Sequence, residues 1–183
     1  NADTPRPPAS TTKILTALIA IEERSLDDVF TVSEKSAAVD GSQLGLLAGE
    51  QITLRDLLYM LLLKSANDAA ETIAENIGGA IEGFAVLMNR RAEKAGCTAS
   101  HFSNPHGMPD DTHYTTASDL AKIARAAMKN PVFAEIVTTK SKTLAYKNLT
   151  ITNSNRLLSV GNGFNGVKTG FTKKAGRCLV SSC

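Results

Sequence analysis

Between Ile14 and Ile21 every residue except Thr16 is apolar, and this run starts just after a segment carrying Pro5, Pro7 and Pro8. A surface helix has one apolar stripe, whereas a helix that is apolar nearly all round has to be enclosed by protein. The prolines hold residues 1 to 9 extended, because each fixes its own φ and pushes its predecessor out of the helical region. The chain is therefore predicted to dive into its own interior at once, as a central buried helix over about residues 11 to 24. Its 183 residues fit one ordinary domain, and a domain of that size buries roughly 70% of the surface its unfolded chain exposes without help from disulfides or metals.

The rest of the chain is punctuated by caps and breakers. Residues 25 to 52 are turn-rich, with Gly41, Gly45 and Gly49, and read as loops with short elements. Thr53 to Asp56 resembles a capping box that opens a leucine-rich helix to about Lys64. The chain breaks at Ser65-Ala66-Asn67, resumes as a helix to the cap pair Gly78-Gly79, and forms another from about 80 to 95 that stops at Gly96. Residues 97 to 115 read as a long loop. Thr116 to Asp119 is a second capping box, whose helix ends at Asn130-Pro131 and is followed by a short helix near 132 to 138. Thr143 to Tyr146 and Leu149 to Thr152 flank Lys147-Asn148 at hairpin length. Strand-like runs close the sequence at 167 to 172 and 177 to 182, so the fold class is helix-rich α+β with its strands late.

Composition excludes several classes. Hydrophobic residues make up 43% and charged ones 21%, with a net charge of +2 and the two signs interspersed. That is globular, with no basic stripe to neutralise a phosphate backbone, so nucleic acid is not an expected partner. Cys97, Cys178 and Cys183 are too few and too widely spaced for a disulfide framework and read as small buried hydrophobes. No run of 18 apolar residues is present that would suggest a membrane-spanning helix.

Three short stretches can carry chemistry. In Ser10-Thr11-Thr12-Lys13 the amine lies one helical turn beyond the hydroxyl and on the same face. The hydroxyl sits at a helix N-terminus, where free N–H groups favour a developing negative charge. A lysine leading a buried helix loses proton affinity, which makes it a candidate base for that nucleophile. Against this, S-x-x-K is expected by chance about once in a chain this long, and an N-cap serine beside a snorkelling lysine would look the same. Ser65 and Asn67 stand at a helix break, where both side chains can enter one cleft or simply cap the next helix. Lys168-Thr169-Gly170 opens a strand-like run whose edge suits an extended substrate, with a lysine and a hydroxyl for a carboxylate. An ordinary edge strand with a protective lysine is the plainer account. His101, His106 and His113, with Asp110 and Asp111, invite a metal, but their spacings match no helical ligand pair and a loop fixed by its own hydrogen bonds explains them better.

Taken in order, Ser10-x-x-Lys13, Ser65-x-Asn67 and Lys168-Thr169-Gly170 resemble the signature set of the penicillin-recognising serine enzymes. Ala9 to Lys13, the stretch Gly49 to Ala70, the loop Asn104 to Met108 and Gly166 to Thr172 look like the low-molecular-mass D-alanyl-D-alanine carboxypeptidases. The resemblance implies a β-lactamase/penicillin-binding-protein-like fold: a helical lobe plus an antiparallel sheet. It implies that Ser10 attacks the bond between the two terminal D-alanines of a peptidoglycan stem peptide, with Lys13 as base, Ser65 passing a proton to the leaving amine, and Asn67 holding the substrate amide and Lys13. Lys168 and Thr169 would receive the carboxylate, and the N–H groups of Ser10 and Phe171, beside Gly170, would form the oxyanion hole. No cofactor or metal is called for. β-Lactams would acylate Ser10 as inhibitors, and the location would be the extracytoplasmic face of a bacterial membrane.

A serine β-lactamase of class A would need a deacylating glutamate in E-x-x-L-N, which does not occur between Asn67 and Lys168. A non-catalytic penicillin-binding or sensor module is the alternative of another class. It draws on the resemblance itself, in which strands precede the first motif and the sheet continues beyond the third. On that basis residues 1–183 are expected to be one truncated catalytic domain, with uncovered sheet edges through which copies self-associate.

Overall fold

The computed structural model describes residues 1–160 and 163–183. A 3-10 turn, Ala9–Thr12, leads directly into helix α1, Lys13–Glu23, and every residue from Thr11 to Ala20 is buried. The predicted central helix is thus present, enclosed by α3 (Leu54–Leu63), α4 (Asn67–Gly78), α5 (Ile81–Lys94), α6 (Ala117–Met128) and α7 (Pro131–Thr138). The four-residue helix α2, Glu34–Ala37, lies against α4. Leu57, Leu58 and Leu61 of α3, Ile73 of α4, Phe84 and Met88 of α5 and Phe133 of α7 join the core around α1 at under 2% exposure; burying each such side chain is worth about 1.5–3 kcal/mol.

Among the described residues the strands form three antiparallel pairs. Strand β1, Val29–Thr31, pairs with β2, Gln51–Thr53, with Phe30 opposite Ile52. Strand β3, Ser141–Thr143, pairs with β4, Thr150–Thr152. Strand β5, Val167–Thr172, pairs with β6, Gly176–Ser181, placing Lys168 opposite Val180 and Gly170 opposite Cys178. Strand β5 runs against the Ala9–Thr12 turn and touches α1 and α7. Among the described residues, no helix is long and apolar enough to cross a membrane.

Local expectations fared unevenly. Thr53 caps α3 and Thr116 caps α6 as predicted, each Oγ1 accepting from the N–H three residues on. Among the described residues, no hydrogen bond returns from the carboxylates of the two boxes to their caps. Asp56 accepts from Tyr146 N at 2.7 Å, and Asp119 accepts from Thr98 N, Ala99 N and the Ser100 hydroxyl. The first of these bonds also displaces the middle hairpin. Tyr146 is drawn out of the predicted strand into a 3-10 turn, Tyr146–Asn148, so the strands end at Thr143 and resume at Thr150. Of the cysteines only Cys97 is buried; Cys178, on the inner face of β6 beside the half-buried Val180, is half-buried, and Cys183, past the end of β6, is exposed.

Candidate active site

Ser10, half-buried in the 3-10 turn, and Lys13, wholly buried as the first residue of α1, are three residues apart with Nζ 3.1 Å from Oγ. Ala9, just before the serine, has φ +50°, a left-handed conformation that costs a residue with a Cβ about 1–2 kcal/mol. Its carbonyl is turned against Gly107, where a Cβ would lie 1.8 Å from the oxygen. Only glycine, itself at φ +86°, lets the two segments meet there.

The Lys13 amine has two further partners, Asn67 Oδ1 and the His106 main-chain oxygen, each at 2.8 Å. Both accept and neither donates. A neutral amine has two N–H bonds and one lone pair; with both hydrogens committed to these oxygens, the lone pair is left for the Ser10 hydroxyl. Burial, and then the nearby Lys168 ammonium, push the Lys13 pKa well below the ordinary lysine value, against a smaller upward pull from Asp68. The arrangement therefore favours the neutral, proton-accepting form.

Asn67 is held as firmly as the lysine. Its Nδ2 donates to Asp40 O at 2.6 Å, which obliges Oδ1 to face the amine, and its own N–H donates to Ser42 O at 2.7 Å. The neighbouring Asp68 carboxylate gathers the N–H groups of Leu44, Gly45 and Leu46 at 2.9, 3.0 and 3.2 Å. The turn-rich segment 40–46 is thus sutured to the start of α4. Ser65, at the break between α3 and α4, is half-buried with φ +63°. Among the described residues no hydrogen bond joins its hydroxyl to Ser10 or Lys13.

Strand β5 supplies the third wall. Gly170 passes so close to the Ser10 turn that a Cβ there would lie 3.0 Å from Ser10 N and 3.2 Å from Thr11 N. The Phe171 side chain points outward at 65% exposure. Lys168 is buried, donates to Thr169 O at 2.9 Å, and has its pKa pushed down to about 7 by burial.

The histidine loop is pinned by its own rings. His113 Nδ1 accepts from Ser103 N at 3.0 Å, so Nε2 carries the proton and donates to Thr12 Oγ1 at 2.9 Å. Burial first, then His106, push its pKa down to about 4. Thr16 donates to Pro105 O at 2.6 Å. His101 Nδ1 lies 2.6 Å from Thr112 O. The sequence sets this loop apart from the chemistry, yet the His106 carbonyl lies 2.8 Å from the candidate base; a main-chain oxygen has no side-chain signature in a sequence.

A half-exposed serine 3.1 Å from a buried amine, with a strand edge beside them, is the kind of arrangement on which serine acyl-transfer enzymes are built. A model of the D-alanyl-D-alanine carboxypeptidase family matches residues 1–183. The chain belongs to that family. The D-alanyl-D-alanine carboxypeptidase DacF of Bacillus subtilis is 35% identical over 183 residues, taking in 96% of this chain and 47% of the relative. DacB2 of Mycobacterium tuberculosis, of the same activity by name, is 38% identical over 180 residues, 96% of this chain and 62% of the relative. The crystal structure of the carboxypeptidase DacD from Francisella tularensis matches with a TM-score of 0.91 at 30% identity, covering 99% of this chain and 57% of that one. The chain thus spans about half to two thirds of the length of these relatives, and its sheet is partial beside the solved structures.

Proposed function

We propose that this chain carries the acylating centre of a serine-type D-Ala-D-Ala carboxypeptidase. The observation that carries the reading is the buried Lys13 amine 3.1 Å from Ser10 Oγ, with two acceptor oxygens already on its hydrogens. Ser10 attacks the carbonyl between the terminal D-alanines of a peptidoglycan stem peptide while Lys13 takes its proton. Ser65 relays a proton to the departing amine, the last D-alanine leaves, and water hydrolyses the resulting ester. The Ser10 and Phe171 N–H groups hold the oxyanion, a role supported by the approach of Gly170 to Ser10 N. Thr169 and the Lys168 charge beneath it receive the substrate carboxylate, and Asn67 serves both the substrate amide and Lys13. β-Lactams acylate the same serine. A peptidoglycan substrate places the protein on the extracytoplasmic side of the membrane. Association of copies along the open edge of β6 belongs to the same proposal.

Incubation with a fluorescent penicillin followed by mass spectrometry tests it. Covalent label on Ser10, lost in Ser10→Ala and in a folded Lys13→Ala, is the expected result. A folded wild-type chain that takes no label overturns the reading and leaves a binding module. Many turnovers of nitrocefin per protein would instead make it a β-lactamase.

A further inference from the structure

Asn67 and Glu71 stand one turn apart on α4, and both are buried. Asn67 gives its Oδ1 to the Lys13 amine directly. Glu71 faces His106, with Oε1 3.2 Å from Nε2. On the other side of that ring the Met108 N–H donates to Nδ1 at 3.1 Å. Nδ1 therefore carries the lone pair, and Nε2 carries the proton that is donated to Glu71. The imidazole is fixed at both ends, and the main-chain oxygen of the same residue is the second acceptor of the Lys13 amine at 2.8 Å. The loop is braced again at its base, where Gly107 N donates to Asn104 Oδ1 at 2.7 Å and Asn104 Nδ2 to Met108 O at 3.1 Å.

We infer that Glu71 is a positioning residue for the Lys13 base: through the His106 ring it fixes the carbonyl that takes one of the two amine hydrogens, and so keeps the lone pair aimed at Ser10. An amine on a single bond can rotate. Two acceptors held by the same helix face, one directly and one through the ring, leave it one orientation. Releasing the ring lets the carbonyl drift and the amine turn, while Lys168 and Thr169, on β5, stay in place. The inference rests on the acylation reading above and adds a residue to it.

Saturation kinetics of acylation by a fluorescent penicillin, with a thermal melt on each sample, provide the test. Glu71→Ala should lower the limiting acylation rate about 10- to 100-fold, the scale of a misplacement of about 1 Å, while the half-saturating concentration stays put. Glu71→Gln keeps an acceptor oxygen at Oε1 and should recover most of the rate. His106→Ala, which keeps the main-chain oxygen but loses the ring, should show the same loss as Glu71→Ala, with no further loss in the double variant. Should Glu71→Ala fail to fold, His106→Ala carries the test. An unchanged limiting rate in the alanine variants, equal losses in the alanine and glutamine variants of Glu71, or losses that multiply in the double variant would overturn the inference. A wild-type chain that does not acylate counts against the acylation reading; a wild type that acylates no faster than Glu71→Ala counts against Glu71 alone.

Discussion

Lys168 and Lys13 put two amines inside the protein at 1% and 0% exposure, and their cost gives stability a pH dependence of definite sign. Burial holds Lys168 at about 7 and Lys13 below its ordinary value as well, whereas an unfolded lysine titrates at about 10.4. Between about pH 7 and 10 the unfolded chain keeps a proton on Lys168 that the folded chain has lost, so stability rises with pH there, by up to about 1.4 kcal/mol per pH unit. Below that window both states are protonated and the whole penalty stands. Lys168→Met keeps the length of the side chain and removes its charge. Its stability gain over the wild type should be greatest near about pH 6.5 and shrink through about pH 8 and 9, measured by urea denaturation. Equal gains at all three would show that the penalty is not carried by Lys168. That Lys13 would be buried was legible in the sequence, because S-x-x-K spacing ran straight into an apolar helix. Its partner on the His106 carbonyl, 93 residues away, was not.

Helices and strands were legible where their signals were local. Thr53 and Thr116 cap their helices because a hydroxyl three residues before a free N–H needs nothing beyond its own turn. The companion carboxylates had a choice of partners, and took donors 90 residues away in Asp56 and about 20 in Asp119. One of those choices moved the ends of β3 and β4, which no reading of Lys147-Asn148 alone would reveal. The contact of β5 with the Ser10 turn is of the same kind, and Gly170 is its test. An alanine there would put a Cβ 3.0 Å from Ser10 N and 3.3 Å from Ala9 Cβ, so the strand and the turn must separate by a few tenths of an ångström. Gly170→Ala should slow acylation about 10- to 100-fold while the melting temperature moves little, since a two-stranded edge can give way. An unchanged acylation rate would mean that the spacing between β5 and Ser10 is not critical.

For the molecule as a whole, the sequence pointed to a helical lobe plus an antiparallel sheet, a fold the solved relatives share, but it put the strands late, whereas β1 and β2 pair within the turn-rich stretch before α3. What it could not show was how the strands sort, because pairing depends on which residues meet across the fold and not on any one run. The outcome is three separate two-stranded pairs, the last of which has β6 bonded on one side only among the described residues. The outward face of that pair shows Phe171 and Leu179 at 65% and 53% exposure. Between α6 and the end of β6 a groove of about 470 Å³ is lined by Ala124, Met128, Val167 and Val180 together with the cationic Arg125 and Lys129. In the 183-residue chain the association proposed above would pair two β6 strands antiparallel, since a strand edge beside exposed apolar side chains is a template for another strand and a second copy presents the same edge. Sedimentation velocity should therefore show a concentration-dependent monomer–dimer equilibrium between micromolar and millimolar chain. Leu179→Lys, which sets a charge on the exposed face without touching Ser10 or Lys13, should shift that equilibrium to monomer and leave penicillin labelling intact. A wild-type chain that stays monomeric through the whole range would exclude the edge as a self-pairing surface, and a Leu179→Lys dimer as strong as the wild type would place the contact elsewhere on the molecule.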